Sequence, residues 1–176
     1  MIQSNPEIEK EALYRVAKMM CLAARTAPKG RGEDKIVTAI VDGEEKDRIT
    51  NEMARLGAEK GVAFFIRDAQ NVGKSDLLVL FGTKFGQLGI PYCGNCGFKD
   101  CEENRKNNGI CAFNTGDLGI AIGSAVSMAA DFRADNRVMF TVGKAAQNLK
   151  ILGEEVKLIY GVPLSGKGKN PFFDRT

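Results

Sequence analysis

The sequence predicts an α+β fold, with helices packed on a mixed or antiparallel central sheet. Three observations point there. The apolar runs KIVTAIV, DLLVLFG and VKLIYGV read as core strands. Helical patterns lie between and around them, and the two kinds of segment do not alternate regularly, as they would in a doubly wound α/β chain. At 176 residues the chain is long enough for one sizeable core and short for two, so it reads as a single domain over 1–176. A cysteine-rich insertion over 91–112 interrupts it.

Taken in order, the first helix should open near Ser4 or Asn5, with Pro6 at an early helical position and Glu7 at the positive end of the dipole. Ile8, Ala12, Leu13, Val16, Ala17, Met20, Ala23 and Ala24 recur at helical spacing and should face the core. Cys21 falls in that stripe and reads as a buried structural thiol. Pro28 stops the helix, KGRGEDK forms a basic loop, and Lys35 to Val41 is a strand closed by an Asp42-Gly43 turn. A second helix runs from Glu44 to Lys60, with Ile49, Met53 and Leu56 inward and Gly61 as its cap. Val62 to Ile66 is ambiguous, whereas Asp76 to Gly82 is a central strand. NVGKS, between them, is no phosphate-binding loop, because the motif needs glycine where Asp68 stands.

Beyond the insertion, Asn114, Thr115 or Asp117 can open a helix that is apolar on nearly every face and therefore buried. Arg137 to Val142 reads as a strand or extended connector, Lys144 to Leu152 as a helix, and Val156 to Val162 as the last core strand. Phe172 and Phe173, in a tail otherwise rich in glycine and lysine, should dock on this subunit or another.

The insertion carries the chemistry. Cys93, Cys96, Cys101 and Cys111 form a C-x2-C-x4-C-x9-C pattern, four of the five cysteines in the chain. Gly94 and Gly97 let this segment turn tightly and aim its amides at sulfur. Four thiolates are the complement of one iron-sulfur cluster or one structural zinc. A cubane 4Fe-4S cluster suits three ligands from one loop and a fourth from beyond a short turn or helix, which Glu102 to Asn108 supplies. Zinc prefers two C-x2-4-C knuckles and only the first pair has that look; a redox-active dithiol at Cys93 and Cys96 is the third reading. Lys99 and Asp100 stand beside the ligands, on the side where a donor protein could dock.

Composition narrows the rest. Hydrophobic residues at 44% and charged residues at 27% are ordinary for a globular chain, and a net charge of +3 with no basic-aromatic run argues against nucleic acid. No apolar stretch is long enough for a bilayer, and MIQSNPEIEKE is polar where a signal peptide would be greasy, so cytoplasmic residence is expected. The complete absence of histidine excludes Ser-His-Asp and Cys-His catalysis and histidine-ligated metals within the chain. Chemistry, if there is any, belongs to a cofactor.

Three resemblances follow from these residues. CGNCGFKDC with its later cysteine resembles the small 4Fe-4S domain of several anaerobic electron-transfer and corrinoid proteins. The flanking ALYRVAKMMCLAARTAPKGRG, KIVTAIVDGEEKDRI, DLLVLFG, GDLGIAIGSAVSMAA and VKLIYGVP resemble the nitroreductase-like flavoprotein core, a dimeric α+β fold that binds FMN at its subunit interface. Through A-R-T-A-P-K, D-L-G-I-A-I-G-S-A, D-N-R and K-N-P-F-F-D-R the whole chain also resembles a family of small prokaryotic proteins described as containing a ferredoxin domain. The flavoprotein resemblance implies a homodimer and an FMN phosphate held by Lys29 and Arg31 in the loop after A-P and by Lys167 and Lys169 near the C-terminus. It departs from that pattern in lacking an arginine-rich stretch before the first helix and in the PKGRG loop. The implied function is electron transfer through the cluster, to or from a redox partner protein or small-molecule acceptor, with flavin-dependent reduction of a small substrate as its enzymatic form and a zinc-stapled binding module as the non-enzymatic rival.

Overall fold

In the computed structural model, which describes residue 2 and residues 4–173, the chain enters through helix α1 (Asn5–Thr26). The Glu7 carboxylate accepts the Ser4 N–H at 3.1 Å and so covers one of the donors a helix start leaves open. A 3-10 turn (Gly30–Gly32) leads to strand β1 (Ile36–Val41), helices α2 (Gly43–Lys60) and α3 (Ala63–Gly73), and strand β2 (Leu77–Lys84). After a linker come the short α4 (Cys101–Lys106), α5 (Ala112–Asp131), the two-residue β3 (Asp135–Asn136), α6 (Phe140–Asn148) and β4 (Val156–Ser165). The strands form one sheet in the order β1-β2-β4-β3, antiparallel throughout.

β2 explains the layering. Its side chains alternate, so Leu77, Val79 and Phe81 meet α1 and α5 on one face, while Leu78 and Leu80 meet α2, α3 and α6 on the other. All five are fully buried, so a strand covered on both faces reads as one unbroken apolar run. On the second face α6 lies so close to β4 that a Cβ on Gly143 would fall 1.6 Å from the Ile159 carbonyl oxygen, and one on Gly161 would fall 2.1 Å from Val142 Cγ1. Neither position has room for a side chain.

Several expectations change. Val62 to Ile66 belongs to the start of α3, where Phe64 and Phe65 pack with Phe140. Arg137 to Val142 is not a strand: only Asp135 and Asn136 pair with β4, Met139 makes a single bridge to Gly161, and α6 starts at Phe140 and ends at Asn148. The last strand runs three residues beyond Val162. Ile8 and Ala12 face outward, because the buried stripe of α1 is the narrower set Leu13, Val16, Ala17, Met20 and Ala24. Cys21 is only partly buried, at the edge of that stripe; desolvation still pushes its thiol pKa up. α5 is not covered all round: Gly116, Gly119, Ile120 and Gly123 face outward. Phe172 is buried in the second core, whereas Phe173 is exposed beneath the Arg137 guanidinium. The Asp174 and Arg175 that end K-N-P-F-F-D-R lie outside the described residues.

At the sheet end remote from the insertion, the Tyr14 hydroxyl donates to the Asp42 carboxylate. That bond, then burial and the negative charge of Asp42, raise the Tyr14 pKa from 10.0 to about 12. The folded state thus favours neutral tyrosine, a contribution fully present below the unfolded pKa of 10.0 and lost as pH rises through about 12. Tyr14→Phe is expected to flatten the alkaline fall in the urea midpoint over that window; an unchanged fall would contradict the assignment.

Candidate functional site

The linker between β2 and the cysteine segment is fastened before the first cysteine appears. The Lys35 ammonium donates to the Gly86 carbonyl at 2.9 Å, and the Gly86 N–H donates to Asn114 Oδ1 at 2.9 Å. An Arg31 guanidinium N–H donates to the Leu88 carbonyl at 2.7 Å, and Gln87 Nε2 donates to Asn104 Oδ1 at 2.7 Å. Backbone leaving a sheet needs such partners, and here Lys35, Arg31 and Asn114 supply them, while Asn104 holds the Gln87 side chain.

From there the chain turns on four residues of positive φ, Gly89 (66°), Tyr92 (56°), Gly94 (59°) and Gly97 (83°). The Gly97 N–H donates to the Gly94 carbonyl at 2.9 Å, closing the turn that holds Cys93 and Cys96. Cys101 is the first residue of α4, whose start is fixed by a reciprocal pair. Asp100 Oδ1 accepts the Glu103 N–H at 2.8 Å, and Glu103 Oε2 accepts the Lys99 N–H at 2.6 Å. The Glu103 N–H is also the main reason the Asp100 carboxyl titrates below its usual range. Asn104, fully buried, donates Nδ2 to the Ile110 carbonyl at 3.3 Å and so ties α4 to the approach of Cys111. Cys111 is the N-cap of α5, where the N–H dipoles of a 20-residue helix favour negative charge.

These constraints bring all four cysteines onto one cavity of about 80 Å³, bordered also by Tyr92, Lys99 and Asn104. Cys111 is buried and the other three are half-buried. The thiols ring the cavity without closing on one point; among the described residues, no group of three or more cysteine or carboxylate side chains is gathered as a single-ion site. The donor set, four thiols with no histidine in the chain, fits an iron-sulfur cluster. Cys21 lies apart on α1.

The four basic residues are not gathered in the same way. The Lys29 ammonium donates to the Ala24 carbonyl at 2.7 Å and to that of Arg25, lies 3.7 Å from Asp34, and its side chain is only 5% exposed. It closes the C-terminus of α1 and turns no N–H outward. Arg31 holds the linker. Lys167 donates to the Lys74 carbonyl at 2.6 Å and stands 3.8 Å from Asp76, at the N-terminal end of β2 and so at the opposite end of the sheet. Lys169 follows it in the same tail. Within one chain the two pairs are therefore apart.

Sequence reasoning missed Asn104, Asn114 and Asp117. The last two look like helix caps in the sequence, but α5 starts earlier, at Ala112, and both are buried for other purposes. Asp117 accepts the Gly30 N–H through both oxygens, at 3.2 and 3.1 Å, and joins the PKGRG loop to α5. It also borders an open groove of about 220 Å³ formed with Asn95, Ala112, Phe113, Gly116 and Ile120. Ala112 lines both this groove and the thiol cavity.

Comparison with known proteins gives three findings. The model of a family described as "uncharacterized protein containing a ferredoxin domain" matches residues 107–175, which include Cys111 but not the other three cysteines of the cavity. An uncharacterized protein of Archaeoglobus fulgidus is 41% identical over 183 residues, covering 99% of this chain and 98% of its own. Among solved structures, a nitroreductase from Lactococcus lactis in complex with nicotinic acid superposes with a TM-score of 0.63 at 13% identity, over 99% of this chain and 84% of that one. The NADPH:FMN oxidoreductase of Vibrio harveyi complexed with NAD+ gives 0.56 at 14% identity, over 92% of this chain and only 63% of its own. At such identities the shared property is the nitroreductase fold.

Because Asn104 joins the linker, α4 and the approach to Cys111, Asn104→Leu is expected to destabilise the folded protein by about 1–3 kcal/mol, the range for stranding buried partners. Amide hydrogen exchange should rise across 86–111 and stay unchanged in β2. Uniform exchange in both segments would show that the amide fixes nothing local.

Proposed function

The chain belongs to the family of proteins described as containing a ferredoxin domain, and we propose that it is an iron-sulfur redox protein whose single 4Fe-4S cluster is held by Cys93, Cys96, Cys101 and Cys111. The observation that carries this reading is the convergence of four thiols, from a turn and two helix starts, on one cavity. A cluster there would take up and release one electron at a time. The chain's own part is to supply four thiolates, to hold them apart through the Asn104 and Asp100 bonds, and to face their negative charge with the turn amides and the α5 N-terminus. All five cysteines are free thiols, which suits the reducing cytoplasm where we place the protein.

Flavin is a second reading, favoured by the groove that shares Ala112 with the thiol cavity and by the FMN oxidoreductase fold. Phe113 and Ile120 offer an apolar wall for a flat ring, and Gly116 leaves it without a protruding side chain. Lys29 does not fit the phosphate role implied by resemblance, since its N–H groups close α1. Arg31 and the Lys167–Lys169 pair could meet at one phosphate only across two chains.

A homodimer supplies such a second chain. Gly116, Gly119 and Gly123 each cost α5 about 1 kcal/mol relative to alanine, and a Cβ at any of them would meet nothing within 4 Å in its own chain. Met19, Leu22 and Ile120 also stand exposed on α1 and α5, which are joined by the Ser124 hydroxyl donating to the Ala23 carbonyl at 3.0 Å. We place the subunit interface on this face, where missing side chains allow close approach of a second backbone.

Protein purified or reconstituted without oxygen is expected to hold about four iron and four sulfide per chain and to give an electron paramagnetic resonance signal on reduction. Serine at any of the four cavity cysteines should lower both, while Cys21→Ser leaves them unchanged. A colourless protein with one zinc would refute the redox reading and favour the stapled module. Fluorescence quenching of added FMN separates the flavoprotein from a cluster-only carrier. Ile120→Lys is expected to turn a dimeric elution into a monomeric one with the helix content retained; a variant that elutes as wild type would move the interface elsewhere.

A further inference from the structure

A single carboxylate stands in the groove beside α5. Its walls are Ala112, Phe113, Gly116 and Ile120, the Asn95 side chain borders it, and Asp117 is the one ionisable residue in its lining among the described residues. Asp117 is only 8% exposed, so it belongs to the interior and still faces this space.

The acceptor capacity of Asp117 is barely used. The Gly30 N–H is shared between its two oxygens, at 3.2 and 3.1 Å, and among the described residues no other N–H or O–H donates to it and no cation pairs with it. Lys29 and Arg31, on either side of Gly30, donate instead to carbonyls at the end of α1 and to that of Leu88. An ionised carboxylate offers about four acceptor sites. Anchoring one backbone N–H needs one of them, and a neutral asparagine would supply it without the cost of burying a charge. The loop contact therefore does not account for a carboxylate at this position.

A ligand seated in such a groove must present an N–H to Asp117 or leave a buried charge stranded, and an anionic group there would meet like charge. The apolar walls suit a flat, neutral ring. Asn95, whose amide both donates and accepts, suits a ring carbonyl beside that N–H. The pyrimidine edge of a flavin carries this sequence of groups, an imide N–H between carbonyls. We propose that Asp117 sets the ligand specificity of the groove by accepting the imide N–H of a flavin ring, a role that rests on the flavin reading above.

The test uses the full chain purified without oxygen and riboflavin, which has the ring but no phosphate, so that basic residues meant for a phosphate contribute nothing. In calorimetric titration 3-methylriboflavin, whose imide N–H is replaced by N–CH3, is expected to bind about tenfold or more weaker than riboflavin. In Asp117→Asn and in Asp117→Ser, both of which keep an acceptor for the Gly30 N–H, that ratio should shrink severalfold, because a neutral oxygen is the weaker acceptor. Equal affinity of the two ligands for the wild type would overturn the proposal. So would a ratio unchanged in a folded variant, which would make the bulk of the methyl group its cause. FMN that binds where riboflavin does not would overturn this role of Asp117 and leave the flavin reading standing, whereas a chain that binds neither would overturn both.

Discussion

The structure depends on one strand being buried on both faces and paired on both edges. β2 has no exposed residue before Lys84, and β1 and β4 occupy its two sides. Every apolar side chain it carries is therefore committed to one of two cores, and the chain leaves the sheet at a fixed place and in a fixed direction. The cysteine segment hangs from that exit. Lys35, Arg31, Asn104 and Asn114 hold polar groups of the linker, so the thiol cavity is tied closely to the strand that is buried on both faces.

Placement at helix starts gives the cavity its electrostatic character. Cys101 and Cys111 each stand where a helix begins, and the turn carrying Cys93 and Cys96 is shaped by glycines at positive φ. Backbone N–H groups are concentrated at such places, so negative sulfur meets amide dipoles as well as the one cationic residue of the lining, Lys99. The formal charges of the segment are left on the rim, where they can act on a partner.

Much of this was legible in the sequence, for physical reasons that differ by element. β2 and α2 announce themselves because unbroken burial and a clean amphipathic stripe leave no competing pattern. The cysteines are legible because four thiols so close together have few uses. Arg137 to Val142 was legible only in part, because the consecutive apolar residues Val138, Met139 and Phe140 suit a strand or an extended connector equally and carry no sign that α6 starts at Phe140. The start of α5 misled because Asn114 and Asp117 have the chemistry of caps, and nothing local reveals that their acceptors serve Gly86 and Gly30 from across the fold. Lys29 is the same lesson reversed. Its charge suggests a ligand, while its short distance in sequence from the end of α1 makes the helix carbonyls its nearest acceptors.

The place of Ala112 has a further meaning. It is the residue common to the thiol cavity and the groove beside α5, so these two spaces are separate rooms with a shared partition. A bulkier side chain at this one position would narrow both spaces at once, whereas a change elsewhere in either lining alters that space alone.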